Sequence, residues 1–479
     1  MGELLGVTGE LRRADGKSYR AHPFRVPAGV GRLRIEFRYD RGGEDPHSLV
    51  TLQLFDPAGF RGAGHRFAPV QTIELGPGGA TPGFVPGSIP EGGWIAELDL
   101  HGVIEPPGGG AGRYELRVQA DASSPALLHA PSGEAPAASP AASAAASSAG
   151  PDVVSSPAPK ATGRGPRRWL RGELHLHSDH SDGRWDAALM ARHARGRGLD
   201  FLFLTDHNTT TGVEALREAI ARELGGEVPV HPGIELTTYN GHALALGLDG
   251  WVDWRTGHRG RSMSDVARDV RAAGAYLVIA HPDAPPDDVC TGCRWTHADF
   301  EPPLADAVEV WGGLWDGPEE RNPGCVALWH RWLDLGLRMT ATGATDAHRP
   351  EDWQGAVPLT WVEAEDASLP SILAALRAGR SFVSSGPELR LGALGADGRR
   401  HGIGDTASGT GVRLRAECRG AEQSELRLTA GGGTLARARV EGDGHVDAPA
   451  PPPPAWVAAE LWSADGRLLR AITSPVYLR

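Results

Sequence analysis

The stretch Glu173-Leu174-His175-Leu176-His177 places two imidazoles two residues apart among apolar neighbours. Side chains alternate along an extended strand, so His175 and His177 share one face and can reach the same ion. Outward from this stretch, further ligand-type residues recur where short apolar runs end. Ser181-Asp182-Gly183 comes just before a helix-compatible segment at 185–197. Phe203-Leu204-Thr205-Asp206-His207 closes a second run, and Pro232-Gly233-Ile234-Glu235 follows Val228-Pro229-Val230. His242 lies seven residues beyond Glu235, and Ile279-Ala280-His281-Pro282 ends another run. Thr345-Asp346-Ala347-His348 closes the series with a second pair two residues apart.

The apolar runs at 201–204, 276–280, 307–310 and 338–342 alternate with helix-compatible segments such as 185–197 and 264–273. Strand–helix alternation of this kind predicts a parallel sheet or an α/β barrel. In such barrels, functional side chains come from the C-terminal strand ends and the loops that follow. Nearly every candidate here sits at such an end. A lone histidine at a strand end is more often packed or exposed than ligating. Two His/Asp-x-His pairs joined by Asp-His, Glu and Ala-His-Pro, all at strand ends, instead point to one shared metal site. Imidazole and carboxylate without thiolate suit Zn, Mn or Fe. Clustered divalent ions activate water and stabilise a developing anion, so no Ser or Cys nucleophile is required. Arg349 beside His348 and Arg184 beside Asp182-Gly183 are candidate grips for a phosphate or carboxylate, with a plain surface role as the competing reading. Asn208 reads as a helix cap ahead of a substrate donor, and His231 as structural.

Together, His-x-His, Thr-Asp-His, a Glu, Ala-His-Pro and a late Asp-x-His resemble the motifs of the PHP (polymerase and histidinol phosphatase) superfamily. The β-rich flanks and the segment Gly379-Arg380-Ser381-Phe382-Val383-Ser384-Ser385-Gly386-Pro387 look like the CehA/McbA branch of metallohydrolases. The motif resemblance covers about residues 172–387, under half of the chain. It implies a distorted (β/α)7 barrel holding two or three divalent metal ions. It further implies that His175, His177, Glu235 and Asp346 bind one ion, and that Glu235 bridges to a second held with His242 and His281. Asp182, His207 and His348 are implied for a third, with His180 competing for the Asp182 step. Asp206 is expected to orient His207 and not to ligate. The implied catalytic set is Glu235, His281, Asp346 and Arg349. The expected reaction is cleavage of a small-molecule phosphoester by a metal-bound hydroxide. The alternative is hydrolysis of carboxylic or carbamate esters or amides. A third reading, a non-enzymatic binding protein, requires a degenerate barrel that has lost ligands.

The 479 residues divide by pattern. Residues 1–120 read as a β-sandwich-like domain. Leu33, Ile35, Phe37 and Tyr39 alternate with polar residues, as do Val50, Leu52 and Leu54, then Trp94, Ala96, Leu98 and Leu100. Period two sends one set to a core and the other to water. Residues 121–166 read as a flexible Ala/Ser/Pro-rich linker. Residues 167–390 are the metallohydrolase barrel, and 391–479 a small C-terminal β domain.

A net charge of -12 excludes broad nucleic-acid binding, which needs a basic face. The expected start lacks a signal peptide, and no run of about 18 apolar residues offers a membrane span. Position 6 is Gly6, not the Ser or Thr of a myristoylation motif. With four cysteines the chain is not a disulfide scaffold, so a reducing, cytoplasmic setting is expected. Cys290-x-x-Cys293 with His297 and Cys325 is a weak candidate for a structural Zn site. Trp311 and Trp315 are candidates to line an apolar substrate pocket. The oligomeric state is left open.

Overall fold

The computed structural model describes residues 2–43, 46–122, 166–285, 293–317, 321–431 and 433–479. The expected linker lies outside the described residues except at its two ends. The chain is multidomain and mostly β, with five α-helices among the described residues. None of these helices is long and apolar enough to cross a membrane.

The N-terminal part is two antiparallel sheets. One orders Gly2–Leu11, Gly112–Ala122, Val30–Tyr39, Val70–Gly76 and Gly79–Ala80. The other orders Ser18–Val26, Gly92–Gly102, Leu49–Asp56 and Gly59–Gly64. Between them lie Leu33, Ile35, Phe37, Val50, Leu52, Leu54, Trp94 and Leu98, all buried. The alternate residues behave differently on the two sheets. Arg34 and Glu36 pair with each other on the outside of the first. On the second, Thr51, Gln53, Glu97, Asp99 and His101 are also buried, where period two alone places them in water. The middle domain packs on that face and replaces the solvent.

The middle domain begins with Arg168–Glu173, parallel to Phe201–Leu204, which is parallel to Val230–Thr238. The chain then turns at Tyr239-Asn240 into Gly241–Leu246, antiparallel to its neighbours on both sides, Val230–Thr238 and Tyr276–Ala280. Ala307–Gly312 and Thr340–Ala344 follow in parallel. Leu359–Ala364 runs antiparallel to Arg168–Glu173, and the Thr360 hydroxyl bonds both the N–H and the carbonyl of Gly343. Among the described residues no closed barrel is seen, and the expected (β/α)7 barrel is not confirmed. The hairpin at 239–240 departs from a repeating β/α unit: a tight turn returns the strand antiparallel, whereas a parallel return needs a longer crossover.

Phe201–Leu204 and Tyr276–Ala280 are apolar runs buried at every residue, because both faces of the sheet are covered there. The helices start and stop on local chemistry. Asp186 caps Ala187–Arg197 through Leu189 N, and Gly198 ends it in the left-handed region. Ser262 and Asp265 form a capping box at the start of Met263–Ala272.

The C-terminal β structure continues from the middle domain. Ser381–Ser384 pairs with Leu359–Ala364 on one side and with Leu469–Thr473 on the other. Trp311 and Trp315 pack into this junction. Trp311 donates to Gly313 O, while Trp315 donates to Arg467 O and meets Trp462 edge-on at 5.5 Å. They are core residues and not the walls of a substrate pocket, because the C-terminal sheet covers them.

Candidate metal centre

The His175-x-His177 segment runs on beyond the end of strand Arg168–Glu173, where Leu176 bridges to Ala347 in parallel. Glu173 fastens this junction. Its Oε1 accepts the N–H groups of Leu174, His175 and Thr345 at 3.1, 3.2 and 3.1 Å, and its Oε2 accepts the Thr345 hydroxyl at 2.8 Å. Burial pushes the Glu173 carboxyl up to about 7, against the lowering effect of Thr345 and His175. One carboxyl thus holds the His-x-His segment and the Asp-x-His loop together. Two of the candidate ligands, His281 (φ 26°) and Asp346 (φ 54°), sit in the left-handed region that only glycine adopts without cost.

All nine candidate ligands converge, and Glu235 is their hub. Its Oε2 lies 3.2 Å from His175 Nε2, 3.2 Å from His177 Nε2 and 3.0 Å from His207 Nδ1. Its Oε1 lies 3.0 Å from His242 Nδ1 and 3.1 Å from His281 Nε2. Asp346 Oδ1 is 3.2 Å from both His175 Nε2 and His177 Nε2. At the far end, Asp182 Oδ1 is 3.6 Å from His207 Nε2 and 3.4 Å from His348 Nε2. Three groups have mutually close ligand atoms: His175, His177, Glu235 and Asp346; His207, Glu235 and His242; and His177, Asp182, His207 and His348. His180 stays out, its Nδ1 against the Thr211 hydroxyl.

The chemistry of this donor set fits cations. His175 Nε2, both nitrogens of His177, Asp182 Oδ1 and Glu235 Oε2 are buried and form no hydrogen bond. Three carboxylates, those of Glu235, Asp346 and Asp182, face imidazoles in a largely buried setting. Burial by itself raises the Glu235 carboxyl, yet His175, His207 and His242 hold it well below the usual range. Asp346 is likewise held down by His175 and His348, and Asp182 by His348 and His207, against their burial. Against the lowering effect of burial, Asp346, Glu235 and Glu309 drive His175 up, and Asp182 drives His348 up to about 10. The carboxylates therefore demand positive charge at the imidazoles, and divalent ions supply it without protons.

Several roles differ from the sequence reading. Asp206 does not orient His207; its oxygens accept Ser178 N, the Ser178 hydroxyl and the Ser181 hydroxyl, and so shape the loop that carries Asp182. His207 Nδ1 instead meets Thr237 Oγ1 at 2.5 Å. Asn208 is not the cap of helix Gly212–Leu224; its Oδ1 accepts Thr237 N at 3.0 Å. His231 is outside the cluster, bonded to Ala367 O. The sulfur of Cys293 is in a disulfide, Cys325 is a buried free thiol, and His297 bonds the Thr238 hydroxyl, so these three do not form a zinc site. Cys290 lies outside the described residues.

Three residues at the site escaped the motif reading. Glu309 Oε2 sits 3.2 Å from His175 Nδ1 and accepts His281 N at 3.1 Å. Its signal was a carboxylate inside the apolar run 307–310. Arg321 Nη1 lies 3.3 Å from Asp346 Oδ2. His65 of the N-terminal sandwich has its ring centroid 4.3 Å from that of His207. No local pattern marks the last two.

Exposure runs across the centre in one direction. The side chains of His175 and His177 are 0% exposed, whereas that of His348 is 31% exposed. The opening leads to a cleft of about 580 Å³ lined by Phe67, Arg184, Leu314, Arg321, His348 and Arg349. Arg349 is at its rim, paired with Asp352 at 3.0 Å.

No family model matches the chain. Over 83 residues, 16% of the chain, it is 37% identical to phosphoribosyl 1,2-cyclic phosphate 1,2-diphosphodiesterase of Eggerthella lenta, and it spans 30% of that relative's length. Among solved structures it is similar to a two-domain protein of Bacteroides vulgatus ATCC 8482 containing a predicted PHP-like metal-dependent phosphoesterase. The identity there is 18% and the TM-score 0.38, with 66% of this chain and 100% of that one covered. It is also similar to a protein of Bifidobacterium adolescentis ATCC 15703 assigned as a metal-dependent phosphoesterase. That likeness has 17% identity and a TM-score of 0.27, covering 37% of this chain and 87% of the other.

Proposed function

We propose that this chain is a PHP-type, divalent-metal-dependent phosphoesterase acting on a small molecule, with the CehA/McbA branch as its place in the superfamily. The observation that carries the reading is the set of nine imidazole and carboxylate groups that converge on the Glu235–Asp346–Asp182 cluster, with buried polar atoms that form no hydrogen bond. A degenerate binding protein is expected to have lost such ligands. The matched segment of a cyclic-phosphate diesterase supports the phosphoester bond class.

His175, His177, Glu235 and Asp346 would hold one ion, His242 and His281 with Glu235 a second, and Asp182, His207 and His348 a third, as Zn, Mn or Fe. When bound, such ions supply Lewis acidity toward a phosphoryl oxygen and toward water. The chain's own residues do the rest. Glu309 holds Nδ1 of His175 and so turns its Nε2 to the centre. Glu173 keeps the two ligand loops in register. Arg321, beside Asp346 on the open side, puts a guanidinium where the charge of a phosphoryl group needs balancing. Arg184 and Arg349 also line the cleft, together with Glu351 and Asp352, the latter paired with Arg349. The Arg321 guanidinium beside the centre favours an anionic phosphoester over a neutral carboxylic ester or carbamate.

Assays of the full chain with Mn, Zn or Fe on nitrophenyl phosphate, bis-nitrophenyl phosphate and nitrophenyl acetate test the reading. Metal-dependent turnover of a phosphate ester is the expected result. Faster turnover of the acetate with every metal, or turnover indifferent to chelation, would overturn it.

A further inference from the structure

We infer that the N-terminal sandwich is a fixed wall of the metal centre and that its His65 is a positioning residue for His207; this rests on the metal-centre reading above. The wall is built by the sheet face whose polar residues are buried. Tyr239 of the middle domain hydrogen-bonds Asp99 and lies 3.0 Å from Ser18 O, and Arg255 donates to Glu97 Oε1 at 2.8 Å. Ala63 belongs to the middle domain's own apolar core, and Phe60 stacks on Trp251 with centroids 5.5 Å apart. The approach is close enough that a Cβ at Gly83, itself at φ +90°, would meet Ala63 O at 2.6 Å and His180 O at 2.8 Å. The backbone N–H of Gly83 also donates across the boundary, to the Thr211 hydroxyl at 3.1 Å. Such packing is that of a single body, not of a tethered module.

The segment 65–67 leaves strand Gly59–Gly64 directly over the ligands. His65 is buried, its ring tilted 42° to that of His207 at 4.3 Å, and its Nδ1 has no hydrogen-bond partner. His101 meets His65 edge-on at 5.0 Å from behind and is itself held by the Thr51 hydroxyl at 3.1 Å. Arg66 donates to Asp179 O at 2.9 Å and pins the segment to the loop that carries Asp182. Phe67 lines the cleft. His65 thereby closes the side of His207 that the middle domain leaves open and limits the swing of its ring. A ring so held presents its nitrogen to the Asp182–His207–His348 end without the entropy cost of fixing it on binding.

The test uses the full chain as His65→Ala, His65→Gln and Phe67→Ala. Zn and Mn affinities are measured by competition with a chromophoric chelator, and bound metal is counted after dialysis. His65→Ala is expected to weaken the loosest-bound ion at least about tenfold, in the range seen when a group supporting a ligand is lost. His65→Gln, which keeps bulk and polarity, is expected to recover part of that affinity. Phe67→Ala is expected to leave metal affinity as it is and to raise KM for nitrophenyl phosphate. If His65→Ala fails to fold, His65→Gln with a melting curve close to that of the parent decides: unchanged affinity overturns the inference and weakened affinity supports it. Unaltered affinity and metal count in a folded His65→Ala also overturn it. Normal metal binding without phosphoesterase turnover would instead count against the proposed reaction.

Discussion

Glu309 stands in a strand where every other neighbour is apolar, and its carboxylate touches the far nitrogen of one candidate ligand, His175, and the backbone of another, His281. Glu309→Gln keeps the shape and removes the charge, so metal affinity should fall about 10- to 100-fold, the usual cost of losing a ligand's supporting group. Isothermal titration with Zn or Mn checks this, and unchanged affinity would refute the role. The two arginines at the opening should separate in the same way. Arg321 is only 14% exposed and adjoins Asp346, whereas Arg349 is 56% exposed and occupied with Asp352. Arg321→Ala should raise KM for a phosphate ester about tenfold, roughly one charge-assisted hydrogen bond. Arg349→Ala should stay within about threefold, as for a surface ion pair. Steady-state kinetics on the two variants reads the difference, and a larger effect at Arg349 would restore the role given to it by adjacency to His348.

Strand Gly92–Gly102 shows what burial does to an element whose pattern is amphipathic. Trp94, Ala96, Leu98 and Leu100 face one core, while Glu97, Asp99 and His101 face the middle domain. Burial pushes the Asp99 carboxyl up to about 7, although its bond from Tyr239 pulls the other way. The unfolded chain releases this proton near 3.8 and the folded chain keeps it to about 7, so the native state binds the extra proton in that window. Its contribution to stability is therefore full below about 4, is lost as pH rises to about 7, and is flat above, a change on the order of 4 kcal/mol at most. Asp99→Asn should remove that slope and make the protein more stable than the parent at pH 8. Urea unfolding of both proteins between pH 5 and 8 measures it, and parallel curves would contradict the assignment. The alternation of the strand was legible in sequence. The burial of its polar half was not, because it depends on a partner surface more than a hundred residues away.

The centre joins segments from one end of the middle domain to the other, from His175 to His348, so bound ions should act as cross-links of the native state. A ligand present at about 1,000 times its Kd stabilises by roughly 4 kcal/mol. Thermal melts of metal-loaded and chelator-treated protein should differ by at least about 5 °C. Superimposable melts would mean that the cluster is already satisfied without ions. At this scale the division between sequence and tertiary structure is clear in the candidate ligands themselves. The nine candidate residues, their order and their places at the ends of apolar runs are written in the chain, because strand periodicity and strand-end position are local properties. Local chemistry also determined where helices Ala187–Arg197 and Met263–Ala272 begin. The hairpin at 239–240, the support from Glu309, the guanidinium of Arg321 and the arrival of His65 from another domain were decided only by the tertiary structure. Each depends on which surfaces exclude water from one another, and that exclusion is a property of the packed whole.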